Sequence, residues 1–195
     1  MADPKILPQQ FQAQSNSIAS YNYTDIAEGV GYSVYYLIAG DSSAGDNQTI
    51  LTPSSTSSGT YDHVTEGGFA STTYKDFDIE FKLPKTMSGT AYFSGQVKEE
   101  GGGGAGTVTA KLYHYDGATE TLIGAEAQSQ SHTGTNNFCI IFDVAQTRFK
   151  RGDILRLKVK TSAGWIIISV DPSGVSPSIT PSKLAVPFKL EEIGY

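Results

Sequence analysis

From Leu155 onward, apolar and charged residues alternate one for one: Leu155, Leu157 and Val159 interleave with Arg156, Lys158 and Lys160. A period of two sends one set to a core and the other to solvent, the pattern of a half-buried strand. The preceding Lys150-Arg151-Gly152-Asp153 is turn chemistry, since Gly152 tolerates a positive φ and Asp153 can bond nearby amides. After a Ser162-Ala163-Gly164 break comes Trp165-Ile166-Ile167-Ile168-Ser169-Val170, an almost wholly apolar, β-branched run. Together the two runs predict an antiparallel pair at the heart of a β-sandwich.

Similar patterning recurs along the chain. Residues 31–40 are aromatic and β-branched between glycines, a strong strand signal. Residues 48–52 form a short strand ended by Pro53, and residues 60–73 an irregular one broken at Gly67-Gly68. Phe77, Ile79, Phe81 and Leu83 alternate with Asp78, Glu80 and Lys82 until Pro84. Thr86-Met87-Ser88-Gly89 then reads as a turn into a strand over 90–97. Val108, Ala110 and Leu112 alternate with polar neighbours up to a hairpin turn on Asp116-Gly117, and residues 120–127 return as the partner. Phe138, Ile140, Phe142 and Val144 make a further strand. Leu184, Val186, Phe188 and Leu190 make the last. Pro187 lacks an amide donor, which predicts an edge strand or one whose outward positions go unpaired. The glycine-rich residues 101–106 read as a mobile surface loop; no Lys-Ser/Thr and no helix follow, so no phosphate cradle is expected.

About ten strands, short turns, no convincing helix and no internal repeat predict an all-β fold: an antiparallel two-sheet sandwich of jelly-roll type. We expect one domain over residues 21–195 behind an extended arm over residues 1–20. The arm holds Pro4, Pro8, several Gln and Ser, and only Ile6, Leu7, Phe11 and Ile18 as scattered apolar residues. Neither periodicity holds there. A disordered tail and an arm docked on the domain or a neighbouring subunit both fit.

Composition narrows the function classes. A chain of 195 residues suits one large sandwich or one sandwich plus an arm. A net charge of −6 argues against nucleic-acid binding, which needs a basic surface. Cys139 stands alone between apolar neighbours, so it reads as a buried, inert thiol with no intrachain disulfide. Met1-Ala2-Asp3-Pro4-Lys5 does not open a signal peptide, and no apolar run approaches the ~20 residues of a membrane helix. A soluble chain made in the cytoplasm is expected.

Candidate chemistry is sparse. His63, His114 and His132 are spaced too far apart for a local metal pair. Asp76, Asp78 and Glu80 share the outward face of one strand, whereas a glycosidase needs carboxylates facing each other across a cleft. Asp41, Asp46 and Asp116 fall in loops without the dense ligand pattern of a calcium site. No Gly-x-Ser-x-Gly or His-Glu-x-x-His occurs, although triads are assembled from distant positions. No catalytic residue, metal site or cofactor is expected. Tyr21, Tyr23, Tyr32, Tyr35, Tyr36, Tyr113 and Tyr115 leave three uses open: packing, a subunit interface or stacking on a sugar.

Three stretches resemble the structural proteins of tailed bacteriophages. They are the strand entry Tyr23-Thr24-Asp25-Ile26-Ala27-Glu28-Gly29-Val30-Gly31-Tyr32, the hairpin from Leu112 through Asp116-Gly117 to Gly124, and Phe149-Lys150-Arg151-Gly152-Asp153-Ile154-Leu155-Arg156-Leu157. The resemblance implies a jelly-roll virion component without enzymatic activity: a head decoration protein, head fibre or tail-associated protein. With no repeats and no heptads, a compact capsid decoration or head-associated protein is preferred over a fibre. Such proteins are often trimeric and pack an N-terminal arm against neighbours. The implied partners are therefore further copies in a homotrimer and the major capsid or other virion proteins, with no nucleic acid and no membrane. The implied arm contacts are Ile6, Leu7, Phe11 and Ile18. The alternative is a carbohydrate-binding module or receptor-binding adhesin, which predicts exposed aromatics converging on a glycan. A sandwich-fold hydrolase would need a carboxylate or histidine pair converging in a cleft.

Overall fold

The computed structural model describes residues 30–39, 49–53, 68–99, 101–170 and 180–189. Among them lie β1 (Val30–Ala39), β2 (Thr49–Thr52), β3 (Gly68–Phe69), β4 (Lys75–Glu80), β5 (Lys85–Glu99) and β6 (Val108–Tyr115). The remaining strands are β7 (Glu120–Gln128), β8 (Asn136–Phe149), β9 (Ile154–Thr161), β10 (Ile166–Ser169) and β11 (Lys183–Lys189). The described residues contain no helix, and so none able to cross a membrane.

All the strands connect into one mixed sheet in the order β3-β10-β5-β11-β1-β2-β4-β9-β6-β7, with β8 along the other edge of β5. Every pairing is antiparallel except β2 with β4, which meet in parallel at Ile50 and Asp78. The sheet curls until β7 lies over β8. A Cβ placed on Gly124 in β7 would stand 3.2 Å from the Phe142 Cβ in β8, although no ladder joins the two strands. The inside of the curl is the core, holding Leu37, Phe77, Phe93, Leu112, Phe142 and Phe149 away from solvent. Each such side chain contributes roughly 1.5–3 kcal/mol by leaving water. Phe81 fastens one part of it, edge-on to Phe149 at 5.0 Å and to Phe188 at 5.5 Å.

Strand β9 alternates as its sequence predicts, with Leu155, Leu157 and Val159 buried and its cations outward. The partnership expected between β9 and β10 does not form. Strand β9 lies between β4 and β6, whereas β10 lies between β3 and β5. The chain turns a corner instead of closing a hairpin. Ser162 stays with the start of β6, donating its amide to Thr107 at 2.9 Å, and the Ile166 amide then closes a turn onto Ala163 at 3.1 Å.

Two further expectations change. The segment 86–89 is not a turn but the first part of β5; the break falls at residues 81–84, before Lys85. Gly89, at φ 115°, sits where the register against β8 shifts, so its freedom makes a bulge rather than a reversal. Pro187 does not mark an edge either, because β11 lies between β1 and β5. It keeps register with Tyr32 on β1, while the ladder to β5 skips between Ala185 and Phe188. The unpaired stretch of the earlier alternative is what accommodates the missing donor. Both irregularities meet, since a Cβ on Gly89 would lie 3.7 Å from the Pro187 ring.

Candidate functional site

The outer face of β4, β9, β6 and β7 gathers charged and aromatic side chains from all four strands. Alternation turns Arg156, Lys158 and Lys160 of β9 outward, and the ladders set Asp78 beside Arg156 and Asp76 beside Lys158. On the other flank, Tyr113 of β6 stands opposite Arg156, and Lys111 opposite Lys158. Register thus sets the cations of β9 against carboxylates on one side and against a ring and a further lysine on the other.

The resulting contacts are continuous. The Arg156 guanidinium grips Asp78 with two bonds, Nε to Oδ1 at 2.8 Å and Nη2 to Oδ2 at 2.6 Å. Its Nη1 also reaches Glu120 and, at 3.3 Å, Asp76. Lys158 bonds the second Glu120 oxygen at 2.8 Å. Above the strands, Arg156 covers the Tyr115 ring and Lys158 the Tyr113 ring, each at 5.0 Å. Lys111 and Lys160 approach the Tyr74 ring at 4.8 and 4.6 Å, and the Tyr74 hydroxyl donates to Glu126 at 2.7 Å. Lys111 closes the group by pairing with Glu126 at 2.8 Å.

Electrostatics follow from this geometry. Asp78, hydrogen-bonded to Arg156, drives the guanidinium further toward its charged form. Lys158, ahead of Arg156, holds Glu120 below the ordinary carboxylate range. Lys111 and then Tyr74 do the same for Glu126. Tyr74 is pushed up to about 12, by burial first and by its bond to Glu126 second. Charges and phenol are thus committed to one another, and the face can present a fixed pattern of charge to a partner. Asp76 and Asp78, expected as a solvated strand face, do lie outward, but as ligands of one arginine. Glu80 pairs with the exposed Lys82 at 2.8 Å.

The other tyrosines are spread apart. Tyr32 packs near Tyr92 and donates to the Thr90 carbonyl at 3.0 Å. Tyr35 is buried, and burial raises its phenol. Tyr21, Tyr23 and His63, like the arm residues Ile6, Leu7, Phe11 and Ile18, lie outside the described residues.

His114, on the inward side of β6, meets a partner that its sequence position did not announce. Its Nε2 stands 2.6 Å from Asp153 Oδ2, and its ring lies edge-on to Phe149 at 4.5 Å. Burial works to raise the Asp153 carboxyl, but the Lys150 amide, at 2.8 Å, and His114 outweigh it and hold the group low. Asp153 thereby pins the turn before β9 to β6. Among the described residues no hydroxyl is hydrogen-bonded to His114.

His132 sits far from that pair, buried in the loop between β7 and β8. Among the described residues, no group of His, Cys, Asp and Glu could hold a metal ion. Cys139 departs from its expected burial. Phe138, Ile140, Phe142 and Val144 take the inward side of β8, leaving Cys139 half-buried on the other, with its thiol raised by desolvation.

The glycine loop is more ordered than its composition suggests. Glu99 accepts the Gly104 amide at 2.9 Å and the Gly134 amide at 3.1 Å, and these two bonds hold its carboxyl low. The Trp165 indole lies on Gly103, where any Cβ would stand only 2.4 Å from the ring. Elsewhere a cleft of about 430 Å³ is lined by Val34, Tyr35, Ile79, Phe81 and Leu83. Among the described residues its lining contains no histidine and a single carboxylate, Glu80.

No family model matches the chain. No curated protein matches it either. Among solved structures it is similar to a CocE/NonD family hydrolase from Staphylococcus aureus, with a TM-score of 0.53 at 12% identity over 82% of this chain. A second structure of that hydrolase gives 0.51 at 10% identity over 83%. An α-amino acid ester hydrolase gives 0.47 at 11% identity over 80% of this chain and 35% of its own. The chain spans 37% of the Staphylococcus hydrolase's length, and at such identity the likeness is one of fold.

Proposed function

We propose that this chain is a non-enzymatic structural protein of a virion, a capsid decoration or head-associated protein that stabilises a particle through contacts between subunits. The observation that supports this reading best is the outer face of β4, β9, β6 and β7. Its charges are paired in sheet register and its rings are capped by cations, so a partner protein meets a surface that is already ordered. Acid–base catalysis calls for a group poised near the working pH, and Glu120 and Glu126 are driven the other way. The resemblance of the Leu112–Gly124 hairpin and the Phe149–Leu157 stretch to phage structural proteins points in the same direction.

In this reading the curled sheet is a jelly-roll sandwich of two layers. The single parallel bridge at Ile50 and Asp78 is the seam, and the packing of Gly124 on Phe142 is the interior between layers. The protein works by adhesion to further copies, as a homotrimer, and to the shell beneath. The arm carries Ile6, Leu7, Phe11 and Ile18 into those contacts. Light scattering on the full chain should give three times 20.8 kDa. Removal of residues 1–18 should return a monomer with an unchanged circular dichroism spectrum. A full-length chain that stays monomeric at high concentration overturns the trimer.

A glycan-binding adhesin is the second reading, favoured by Trp165. The indole is 42% exposed while its other side rests on Gly103, which leaves an aromatic surface open for stacking. A glycan array on the wild type and on Trp165→Ala decides it: binding that Trp165→Ala abolishes supports the adhesin.

A further inference from the structure

Two loops meet where β5 ends: residues 101–107, before β6, and residues 129–135, before β8. Gly106 and His132 exchange backbone bonds, amide to carbonyl at 3.0 Å one way and 2.8 Å the other. The Glu99 carboxylate joins the same loops through Gly104 and Gly134, and its own amide donates to the Gly134 carbonyl at 3.1 Å. The first loop also carries the Trp165 indole on Gly103.

The His132 side chain is the odd member of this junction. It is 2% exposed, lies edge-on to Phe138 at 6.5 Å, and among the described residues its Nε2 has no hydrogen-bond partner. A neutral imidazole can leave that nitrogen as a lone acceptor. An imidazolium cannot, because both of its nitrogens donate and the charge loses its water. The surroundings offer no relief. From β5 comes Glu99, whose two oxygens each accept a loop amide. The two loops hold no titratable side chain besides His132 itself. The start of β8 presents Phe138, the corner before β10 presents Trp165, and β10 begins with Ile166, all uncharged. Glu100 lies outside the described residues.

We propose that His132 is an acid-sensitive latch: neutral, it keeps the two loops fastened, and protonated, it leaves its buried position and frees the glycine loop and Trp165. This goes beyond the virion reading and does not depend on it. Burial lowers the His132 pKa from its ordinary 6.5. Stability contributed by the neutral ring is therefore complete above about 6.5 and is lost as pH falls through the lowered value. Glu99, held below the ordinary 4.5 by its two amides, lets go only in stronger acid.

Trp165 is the single tryptophan of the chain, so its emission reports on the junction directly. Titrated from pH 8 to 4.5, the full chain should show a shift in emission with a midpoint below 6.5 and an unchanged far-ultraviolet circular dichroism spectrum. In His132→Gln, which stays neutral, the shift should vanish, while His63→Gln and His114→Gln should retain it. Exchange at the Gly104, Gly106 and Gly134 amides, corrected for intrinsic rate, should rise about tenfold for each pH unit through the transition. Nuclear magnetic resonance titration of the His132 ring needs no variant and reads its pKa in the intact protein. A ring that titrates at or above 6.5, or an emission shift that survives His132→Gln, overturns the latch.

Discussion

The outer face of β4, β9, β6 and β7 and the loop junction at the end of β5 are both held by polar contacts, but in opposite ways. On the face, two cations of β9 meet three carboxylates, so ionisation is what binds it together. At the junction, a buried ring must stay uncharged for the loops to close. Acid attacks the two by different routes and at different pH. Charged groups in a protein thus strengthen or weaken it according to which protonation state the fold has solvated, not according to how many there are.

Breaking the face should have the largest effect. Arg156→Ala leaves Asp78, Asp76 and Glu120 side by side, partly shielded from water and without their shared cation. We expect a loss of about 2 kcal/mol in urea unfolding, between the values for exposed and buried pairs. The gap from wild type should narrow in acid. The Glu120 carboxylate is held below 4.5, so its contribution is present above that value and disappears as pH falls through the lowered one. An undiminished gap at pH 3 would mean that Arg156 stabilises by packing alone.

Gly103→Ala should cost less, about 1 kcal/mol, because an exposed ring and a loop can shift to admit a methyl group. Its signature should be local: a change in Trp165 emission at neutral pH resembling that of acid-treated wild type. Glu99→Gln keeps a hydrogen-bond acceptor but removes the charge, and should show only as faster amide exchange at Gly104 and Gly134. The smallest effect is expected at Lys82→Ala. Its pair with Glu80 lies in solvent, with the lysine side chain 77% exposed, and thermal unfolding should not move measurably.

Much of the local structure was legible in the residues. The alternation of Leu155, Leu157 and Val159 set the buried side of β9, and Asp116-Gly117 and Gly152-Asp153 made the turns they promised. A period of two reports which face a residue takes, but not which strand lies alongside. That is why β9 and β10 could be read as partners although they never pair. Gly89 looked like a turn for a related reason: a glycine with positive φ serves a bulge as readily as a reversal. The site was harder still. Arg156 and Asp78 are 78 positions apart and His114 and Asp153 are 39 apart, so each pairing exists only through the ladders that bring them together. The glycine run concealed its order, because what fixes it is a carboxylate before it and a tryptophan far after it.

The place of β11 bears on how the chain is made. It fills the gap between β1 and β5, yet it comes after every other described strand. During synthesis β1 and β5 each wait with an open edge until Lys183–Lys189 emerges, and their union is then completed across most of the sequence. Contacts of such separation form slowly, and open edges invite pairing between neighbouring nascent chains. Of the described strands, the last to leave the ribosome is therefore the one that closes these edges, and a chain cut short before it would display both.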